Sequence, residues 1–252
     1  MSKSDLTYFT LPAKDLQSLL EICHLNVFNA KTYQNMENRK TVIVGASGFG
    51  REVLTCLIDV YKSQGITLSK QAICFLETEE FCEKTKLIHG FEVLPEKDFN
   101  PTNAEVLVAV GDGRLRKKIV ERLPENTKFA TLIHPTATVS EWVELGEGSI
   151  VTAGVILTTD IKIGTHAHLN LTSTVGHDCQ IGDYFTSSPG TNISGICNIG
   201  DNVYFGTNSS VRQGITICQD VVIGMGGVVV KNITESGIYV GNPATKLETN
   251  KK

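Results

Sequence analysis

The chain has 252 residues, enough for one large domain or two ordinary ones, and a net charge of −4. No cluster of basic residues stands out, which argues against nucleic acid as the main partner. No signal peptide is recognisable at the N-terminus, and nowhere do eighteen apolar residues follow one another. Together with seven cysteines that form no CxxC pair, these features predict a cytoplasmic protein without a membrane partner.

Residues 1–39 are predicted to be an N-terminal extension. Leu16, Leu19, Leu20 and Cys23 lie at helical spacing, so a short helix is expected there. The pattern assigns no function to this segment, and a cap, an arm or an expression remnant are all open.

Residues 40–131 alternate strands with helices, which is typical of a small α/β sheet with parallel strands. Apolar runs predict strands over residues 40–44, 71–76 and 105–110, and helices over 51–62 and from near Leu115. Ligands bind such sheets at the carboxyl ends of the strands. Three loops could therefore converge on one ligand, with the candidate contacts Ser47, Gly48, Phe49, Glu77, Thr78 and Gly111.

The first of these loops is rich in glycine and runs from Gly45 to Gly50. Its spacing, G-x-x-G-x-G, differs from the dinucleotide fingerprint G-x-G-x-x-G. One interpretation is simply a tight turn; the other is a phosphate site, because backbone amides at a helix N-terminus favour anions. A sugar nucleotide fits better than a dinucleotide, since the segment is short for a complete two-halved Rossmann fold.

Residues 132–234 repeat every six residues. Steps of six from Ile133 to Val229 give seventeen positions, and all except Ser187 are large and apolar. This period predicts a parallel β-helix with three hexads per coil, in which the repeated side chain points inward. Cys179 and Cys197, eighteen residues apart, are expected to stack as core thiols. Residues 235–252 are predicted to be a C-terminal tail.

His177 occupies the third place of its hexad, which points it outward, and Asp178 follows. An outward histidine is most often a solvated surface residue. His166, His168 and His177 lie within one coil of each other, so a zinc site of the β-helical carbonic-anhydrase kind is an alternative. The first two occupy different hexad places from His177, so no common focus is evident and we predict no metal.

Four features together resemble the bacterial nucleotide-sugar acetyltransferase family, which includes UDP-4-amino-sugar N-acetyltransferases and sialic-acid O-acetyltransferases. They are the glycine-rich loop, the strand end at residues 75–78, the hexapeptide prism and the segment GHDCQIGD at 176–183. The resemblance covers residues 40–247. It implies an α/β N-terminal domain followed by a left-handed parallel β-helix. It also implies a homotrimer with acetyl-CoA between neighbouring prisms and a nucleotide-linked sugar on the α/β domain.

The same resemblance implies roles for individual residues. His177 would be the general base, and Asp178 the carboxylate that raises its basicity. The three loops of the α/β domain would contact the nucleotide sugar. The family often has His where Phe49 stands and Asp where Thr78 stands. The positions implied to contact CoA are Thr186, Gly206, Thr207, Gly224 and Met225.

The chemistry needs a base and an oxyanion donor. A neutral imidazole can accept the proton that an attacking amine loses, and Gly195 is one candidate for a backbone N–H at the oxyanion. Adjacent strand residues point to opposite faces, so Asp178 assists His177 only if the turn breaks that alternation; otherwise it could serve a neighbouring subunit. Acetyl transfer to an amino group is favoured. The alternatives are transfer to a hydroxyl, a metal-dependent hydratase and a non-catalytic binding module.

Overall fold

The computed structural model describes residues 40–248, so the predicted helix of the N-terminal extension lies outside the described residues. The first part of this region is an α/β unit with short 3-10 helices at Lys70–Ala72 and Glu96–Asp98. Its elements are β1 (Lys40–Val44), α1 (Gly48–Ser63), β2 (Ile73–Glu77), α2 (Glu79–Lys84), β3 (Leu87–Ile88), β4 (Phe91–Pro95), β5 (Ala104–Val108) and α3 (Gly113–Arg122).

The five strands form one sheet in the order β3-β4-β2-β1-β5, and only the β3–β4 pair is antiparallel. The predicted strands and the first helix are confirmed, with ends that move by three residues at most. The prediction missed α2 and β3, which have only six and two residues, and β4, whose apolar residues are interrupted by the exposed Glu92 instead of forming one run. None of the described helices is both long enough and apolar enough to cross a membrane.

The second part is a triangular prism with three parallel sheets, which we call the first, second and third faces. The first face contains β6 (Leu132–Ile133), β9 (Ile150–Val151), β12 (His168–Leu169), β15 (Thr186–Ser187), β18 (Tyr204–Phe205) and β21 (Val221–Ile223). The second contains β7 (Thr138–Val139), β10 (Ile156–Leu157), β13 (Thr174–Val175), β16 (Asn192–Ile193), β19 (Ser210–Val211) and β22 (Val228–Val229). The third contains β8 (Val143–Leu145), β11 (Ile161–Ile163), β14 (Gln180–Ile181), β17 (Asn198–Ile199) and β20 (Thr216–Ile217).

Residues eighteen apart stack directly on one another along each face. On the second face, Leu157, Val175, Ile193 and Val211 are in register on successive strands, and all four are buried. Each strand buries its apolar side chain only because a neighbouring coil covers it. The predicted hexapeptide repeat and the left-handed parallel β-helix are therefore confirmed.

Ser187 and the two predicted core cysteines are also accommodated in the interior of the prism. Ser187 is 1% exposed and its hydroxyl donates to Oγ of Ser173 at 3.1 Å. Cys179 and Cys197 are buried, and the backbone N–H of Cys197 donates to Sγ of Cys179 at 3.4 Å. The prediction of stacked core thiols is confirmed.

From Gly148 to Gly226, each turn of the prism contains one residue with a positive φ, at the same place in the hexad. The side chains at this place are often Gly, Asn or Asp, the residues that tolerate the left-handed conformation best. At such a residue the chain leaves the extended conformation, so side chains on either side no longer alternate between faces. The series is Gly148, Gly154, Asp160, His166, Thr172, Asp178, Tyr184, Gly190, Ile196, Asn202, Asn208, Gly214, Asp220 and Gly226.

The α/β unit packs on the outer surface of the first face. Leu132, Ile150, His168 and Thr186 point outward from successive strands, yet each is at most 2% exposed. Leu132 and Ile150 belong to the same apolar cluster as the buried side of α1. The last strands, β23 (Gly237–Val240) and β24 (Thr245–Lys246), extend this face within the predicted tail.

Candidate active site

The predicted base lies at the corner between the second and third faces. His177 and Asp178 lie in the turn from β13 to β14, and their side chains are 50% and 60% exposed. Asp178 has a φ of 57°, so this turn breaks the alternation of side chains. The Nδ1 atom of His177 lies 2.7 Å from Oδ2 of Asp178 in the same chain. Asp178 therefore contacts the histidine of its own chain.

The other ring nitrogen of His177 faces Gly195, one coil further along the same corner. A Cβ atom on Gly195 would lie 2.7 Å from Nε2 and 2.8 Å from Cε1 of the imidazole. The backbone N–H of Gly195 has no hydrogen-bond partner among residues 40–248. With Nδ1 donating to the carboxylate, Nε2 is the acceptor of the neutral ring. The corner thus presents a proton acceptor beside an unused backbone donor.

Four of the five predicted CoA contacts lie at a different corner. Gly206 and Thr207 are in the turn from β18 to β19, and Gly224 and Met225 are in the turn from β21 to β22. Both turns join the first face to the second, and the Met225 side chain is 78% exposed there. A single chain therefore does not bring these four residues to the corner that carries His177.

The loops predicted to bind the nucleotide sugar converge at the carboxyl edge of the five-stranded sheet. The N–H of Ala46 donates to Oε1 of Glu77 at 3.1 Å, and the N–H of Thr78 donates to Oε2 at 3.0 Å. Gly45, with a φ of 99°, lies so close to the third loop that a Cβ would meet the carbonyl oxygen of Ala109 at 2.9 Å. All six predicted contacts are at least partly accessible, namely Ser47, Gly48, Phe49, Glu77, Thr78 and Gly111.

An open groove of about 460 Å³, not predicted from the sequence, lies beside the glycine-rich loop. It combines the guanidinium of Arg51, the aromatic ring of Phe81 and the imidazole of His89 next to Ser47. A cation near the N-terminus of α1 suits phosphate, and an aromatic ring suits a nucleobase. This groove has no periodic signal in the sequence because α2 and β3, which supply part of its wall, are short.

The role of Arg116 in α3 was also not predicted from the sequence. In the structure it is the only buried side chain among the described Asp, Glu, Lys and Arg residues. Its Nε donates to the carbonyl oxygen of His166 at 2.9 Å, and its Nη2 donates to those of Tyr184 and Phe185 at 2.8 and 3.0 Å. Burial lowers the pKa of Arg116 to about 9, which leaves it protonated at neutral pH. It joins the α/β unit to the prism.

Thr186, the fifth predicted CoA contact, lies in the same junction. It is 2% exposed, and its hydroxyl donates to the carbonyl oxygen of Gly111 and accepts from Nη2 of Arg116, both at 3.0 Å. Gly111, a predicted nucleotide-sugar contact, is thus bonded to the first face of the prism. A contact between Thr186 and CoA stays a prediction. The Thr186 hydroxyl is already bonded to both Gly111 and Arg116.

His166 and His168, which were weighed as metal ligands, lie under the α/β unit. Nη1 of Arg116 donates to Nδ1 of His168 at 3.0 Å, so that ring is neutral with its proton on Nε2. Burial, and then the charge of Arg116, lower the pKa of His166 to about 4 and that of His168 well below its usual value. His177 is at another corner. Within residues 40–248, no three His, Cys, Asp or Glu side chains are grouped so that they could hold a metal ion.

Acid is expected to destabilise the folded chain as the pH falls from about 6.5 towards 4. The unfolded chain binds protons on His166 and His168 in this window, whereas the folded chain does not, so each pH unit costs up to about 1.4 kcal/mol per histidine. Thermal unfolding measured across this window gives the slope. His166→Asn, which suits the left-handed φ of 54°, should flatten it, and an equal slope in both proteins would contradict the assignment.

Comparison with known proteins gives matches to both parts of the chain. A family model described as the PglD N-terminal domain matches residues 40–123, and one described as the hexapeptide repeat of succinyl-transferase matches residues 141–159 and 197–231. The GDP-perosamine N-acetyltransferase of Escherichia coli is 33% identical over 218 residues, which cover 82% of this chain and 95% of that protein.

Two solved structures are similar over most of their length. The acetyltransferase domain of PglB from Neisseria gonorrhoeae has a TM-score of 0.75 and 31% identity, and the match covers 83% of this chain and 100% of that one. PerB from Caulobacter crescentus, solved with CoA and GDP-perosamine, has a TM-score of 0.70 and 30% identity, and the match covers 82% and 96%. The chain therefore belongs to the family of acetyl-CoA-dependent nucleotide-sugar N-acetyltransferases, which transfer an acetyl group to the amino group of a nucleotide-linked sugar.

Proposed function

We propose that His177 is the general base of this acetyl transfer and that Asp178 holds it in the reactive tautomer. The observation that carries the proposal is the 2.7 Å contact between Nδ1 of His177 and Oδ2 of Asp178 at an exposed corner. Because Nδ1 keeps its proton and donates it in a hydrogen bond to the carboxylate, Nε2 is the ring nitrogen that is free to accept a proton from the substrate. The contact also stabilises the imidazolium that forms when Nε2 takes up a proton.

The reaction starts when the amine nitrogen attacks the thioester carbonyl carbon of acetyl-CoA. A C–N bond forms, the carbonyl electrons move to oxygen, and Nε2 of His177 takes the proton that the nitrogen loses. We propose the backbone N–H of Gly195, which has no partner among residues 40–248, as the donor to the oxyanion. When the intermediate collapses, the C–S bond breaks and the departing CoA thiolate takes the proton back from His177.

We propose a GDP-linked amino sugar, with GDP-perosamine as the first candidate, as the acceptor. The E. coli relative carries this substrate in its name, and PerB was solved with it bound. The proposed place for the nucleotide is the carboxyl edge of the five-stranded sheet, where Ser47, Gly48, Phe49, Glu77 and Thr78 lie. The groove that contains Arg51, Phe81 and His89 adds a cation and an aromatic ring for phosphate and base.

We also propose that the active enzyme is a homotrimer. Thr207 and Met225 lie at the corner between the first and second faces, and His177 lies at the corner between the second and third. In a ring of three prisms, the corner of one chain that carries Thr207 and Met225 would face the corner of the next chain that carries His177. Acetyl-CoA would occupy the cleft between these two corners. The mass of the protein in solution, measured by light scattering, tests this arrangement.

We further propose that the protein lies in the reducing cytoplasm. The described cysteines are free thiols, which agrees with that location.

The function is tested by incubating the purified chain with acetyl-CoA and a panel of GDP-, UDP- and dTDP-linked amino sugars. We expect mass spectrometry to detect one acetyl group on the amine of the GDP-linked sugar. Acetylation of another nucleotide sugar would correct the nucleotide, and acetylation of free sialic acid alone would favour O-transfer. Failure to acetylate any member of either class would contradict the proposed activity.

A further inference from the structure

Arg116 is a buried cation whose hydrogen-bond partners are all neutral. Its guanidinium is 0% exposed and donates to five backbone carbonyls, one hydroxyl and one imidazole nitrogen. Taking a charge out of water is costly, and bonds to neutral groups recover only part of that cost. A buried Arg is therefore a poor means of stabilising a fold and a good means of fixing its geometry.

The bonds of Arg116 divide between the two parts of the chain. Nη1 donates to the carbonyl oxygens of Val110 at 2.7 Å and Gly111 at 3.3 Å, in the loop that follows β5. The remaining carbonyls and the hydroxyl of Thr186 belong to the prism. The loop cannot move along the first face without breaking bonds to the same planar group.

The glycine-rich loop is connected to the same group through one imidazole. Nη1 of Arg116 donates to His168, and the His168 ring lies 5.0 Å from the ring of Phe49, measured between centroids. Phe49 is a predicted contact of the nucleotide sugar. Arg116 thus holds the surface on which Phe49 rests, as well as the loop that contains Gly111.

We propose that Arg116 is a positioning residue for the nucleotide sugar, which fixes the Gly111 and Phe49 loops on the first face of the prism. This inference rests on the proposed function, in which these loops bind the acceptor. None of the seven acceptors of the guanidinium lies at the corner that carries Thr207 and Met225. One of the seven, Thr186, is itself a predicted CoA contact, but its hydroxyl is already bonded to both Arg116 and Gly111. We therefore expect a change at Arg116 to affect the nucleotide sugar and to spare acetyl-CoA.

The test is the variant Arg116→Lys, assayed with GDP-perosamine and acetyl-CoA. An ammonium cannot reproduce the planar fork of donors, so we expect KM for GDP-perosamine to rise about tenfold or more and kcat to fall. KM for acetyl-CoA should stay within about twofold. A purely structural role would lower the fraction of folded enzyme, and hence the apparent kcat, with both KM values unchanged, and that result would overturn the proposal. Arg114→Lys, at a neighbouring exposed arginine, is the matched control.

Thr186→Val provides a second variant that keeps the shape of the side chain. Removal of the hydroxyl takes away one bond to Gly111 and one to Arg116, so KM for GDP-perosamine should rise. If Thr186 contacts CoA instead, KM for acetyl-CoA should rise, and the junction role would be wrong. This variant decides the matter if Arg116→Lys does not fold.

Direct binding separates a failure of this inference from a failure of the proposed function. If the wild-type chain does not turn over GDP-perosamine, the proposed acceptor is wrong, and titration calorimetry with GDP, UDP, dTDP and CoA takes the place of kinetics. Weaker nucleotide binding by Arg116→Lys, with equal CoA binding, would support the positioning role. Equal nucleotide affinity in both proteins, or no nucleotide binding by the wild type, would overturn it.

Discussion

Replacing His177 by alanine is expected to lower kcat by about 10²–10⁴-fold, the range typical of a lost general base. The proton of the attacking amine would then have no acceptor within the corner, because Asp178 contacts the ring and stands behind it. CoA affinity should be preserved, since the predicted CoA contacts at Thr207 and Met225 lie in other turns. Steady-state kinetics and CoA titration calorimetry measure the two quantities separately.

The matched control is Gln213→Ala, which changes an outward side chain at the same hexad place two coils further on. It should keep kcat within about twofold, because it removes no proton acceptor. Undiminished turnover by His177→Ala would remove His177 from the chemistry. Loss of CoA binding together with turnover would point to a structural role for the histidine.

Gly195→Ala is expected to lower kcat by roughly 10²-fold without unfolding the prism. The new methyl group would lie 2.7 Å from Nε2 and 2.8 Å from Cε1 of His177, so the ring must move. A displacement of the reacting group by about 1 Å can cost this much in rate. The measurement is kcat for the variant and for wild type, with a thermal melt to verify folding.

A double-mutant cycle isolates the cause. If Gly195→Ala acts by moving the imidazole, it should cost little in a chain that already carries His177→Ala, because the effects of residues in contact are not additive. Ser194→Ala, next in the chain and outward on the same coil, serves as the control. Equal loss in both backgrounds would mean that the alanine acts elsewhere, for example on the N–H of residue 195.

The prism was predictable because its signal is long and regular. Each inward position is buried in the same way and therefore requires an apolar side chain, so the same pattern recurs from Val151 to Val229. Convergence of the α/β loops followed from the parallel sheet, whose carboxyl ends meet at one edge. The elements α2 and β3 escaped for the opposite reason, since six and two residues carry no period, and β4 escaped because Glu92 interrupts its apolar residues.

The reach of Asp178 was undecided from sequence, although a signal was present. Gly, Asn and Asp recur at its hexad place, at Gly154, Asn202 and Asp220 among others, and these residue types are typical of a left-handed residue in the turn. Arg116 left no comparable signal. Five of its partners are backbone carbonyls, which every residue carries, and three of them, at His166, Tyr184 and Phe185, lie far along the chain from α3. Only the folded junction distinguishes it from the exposed basic residues beside it.

Because the coils are equivalent, the number of residues between His177 and Met225 sets the distance along the prism between the imidazole and the predicted CoA contacts. Deleting one eighteen-residue coil between them would leave every remaining strand with a neighbour in register, so the column would still close. The donor corner, however, would drop by one strand spacing, roughly 4.8 Å, relative to the imidazole. That step exceeds the reach of a proton transfer, so such a shortened protein would keep its architecture and lose its chemistry.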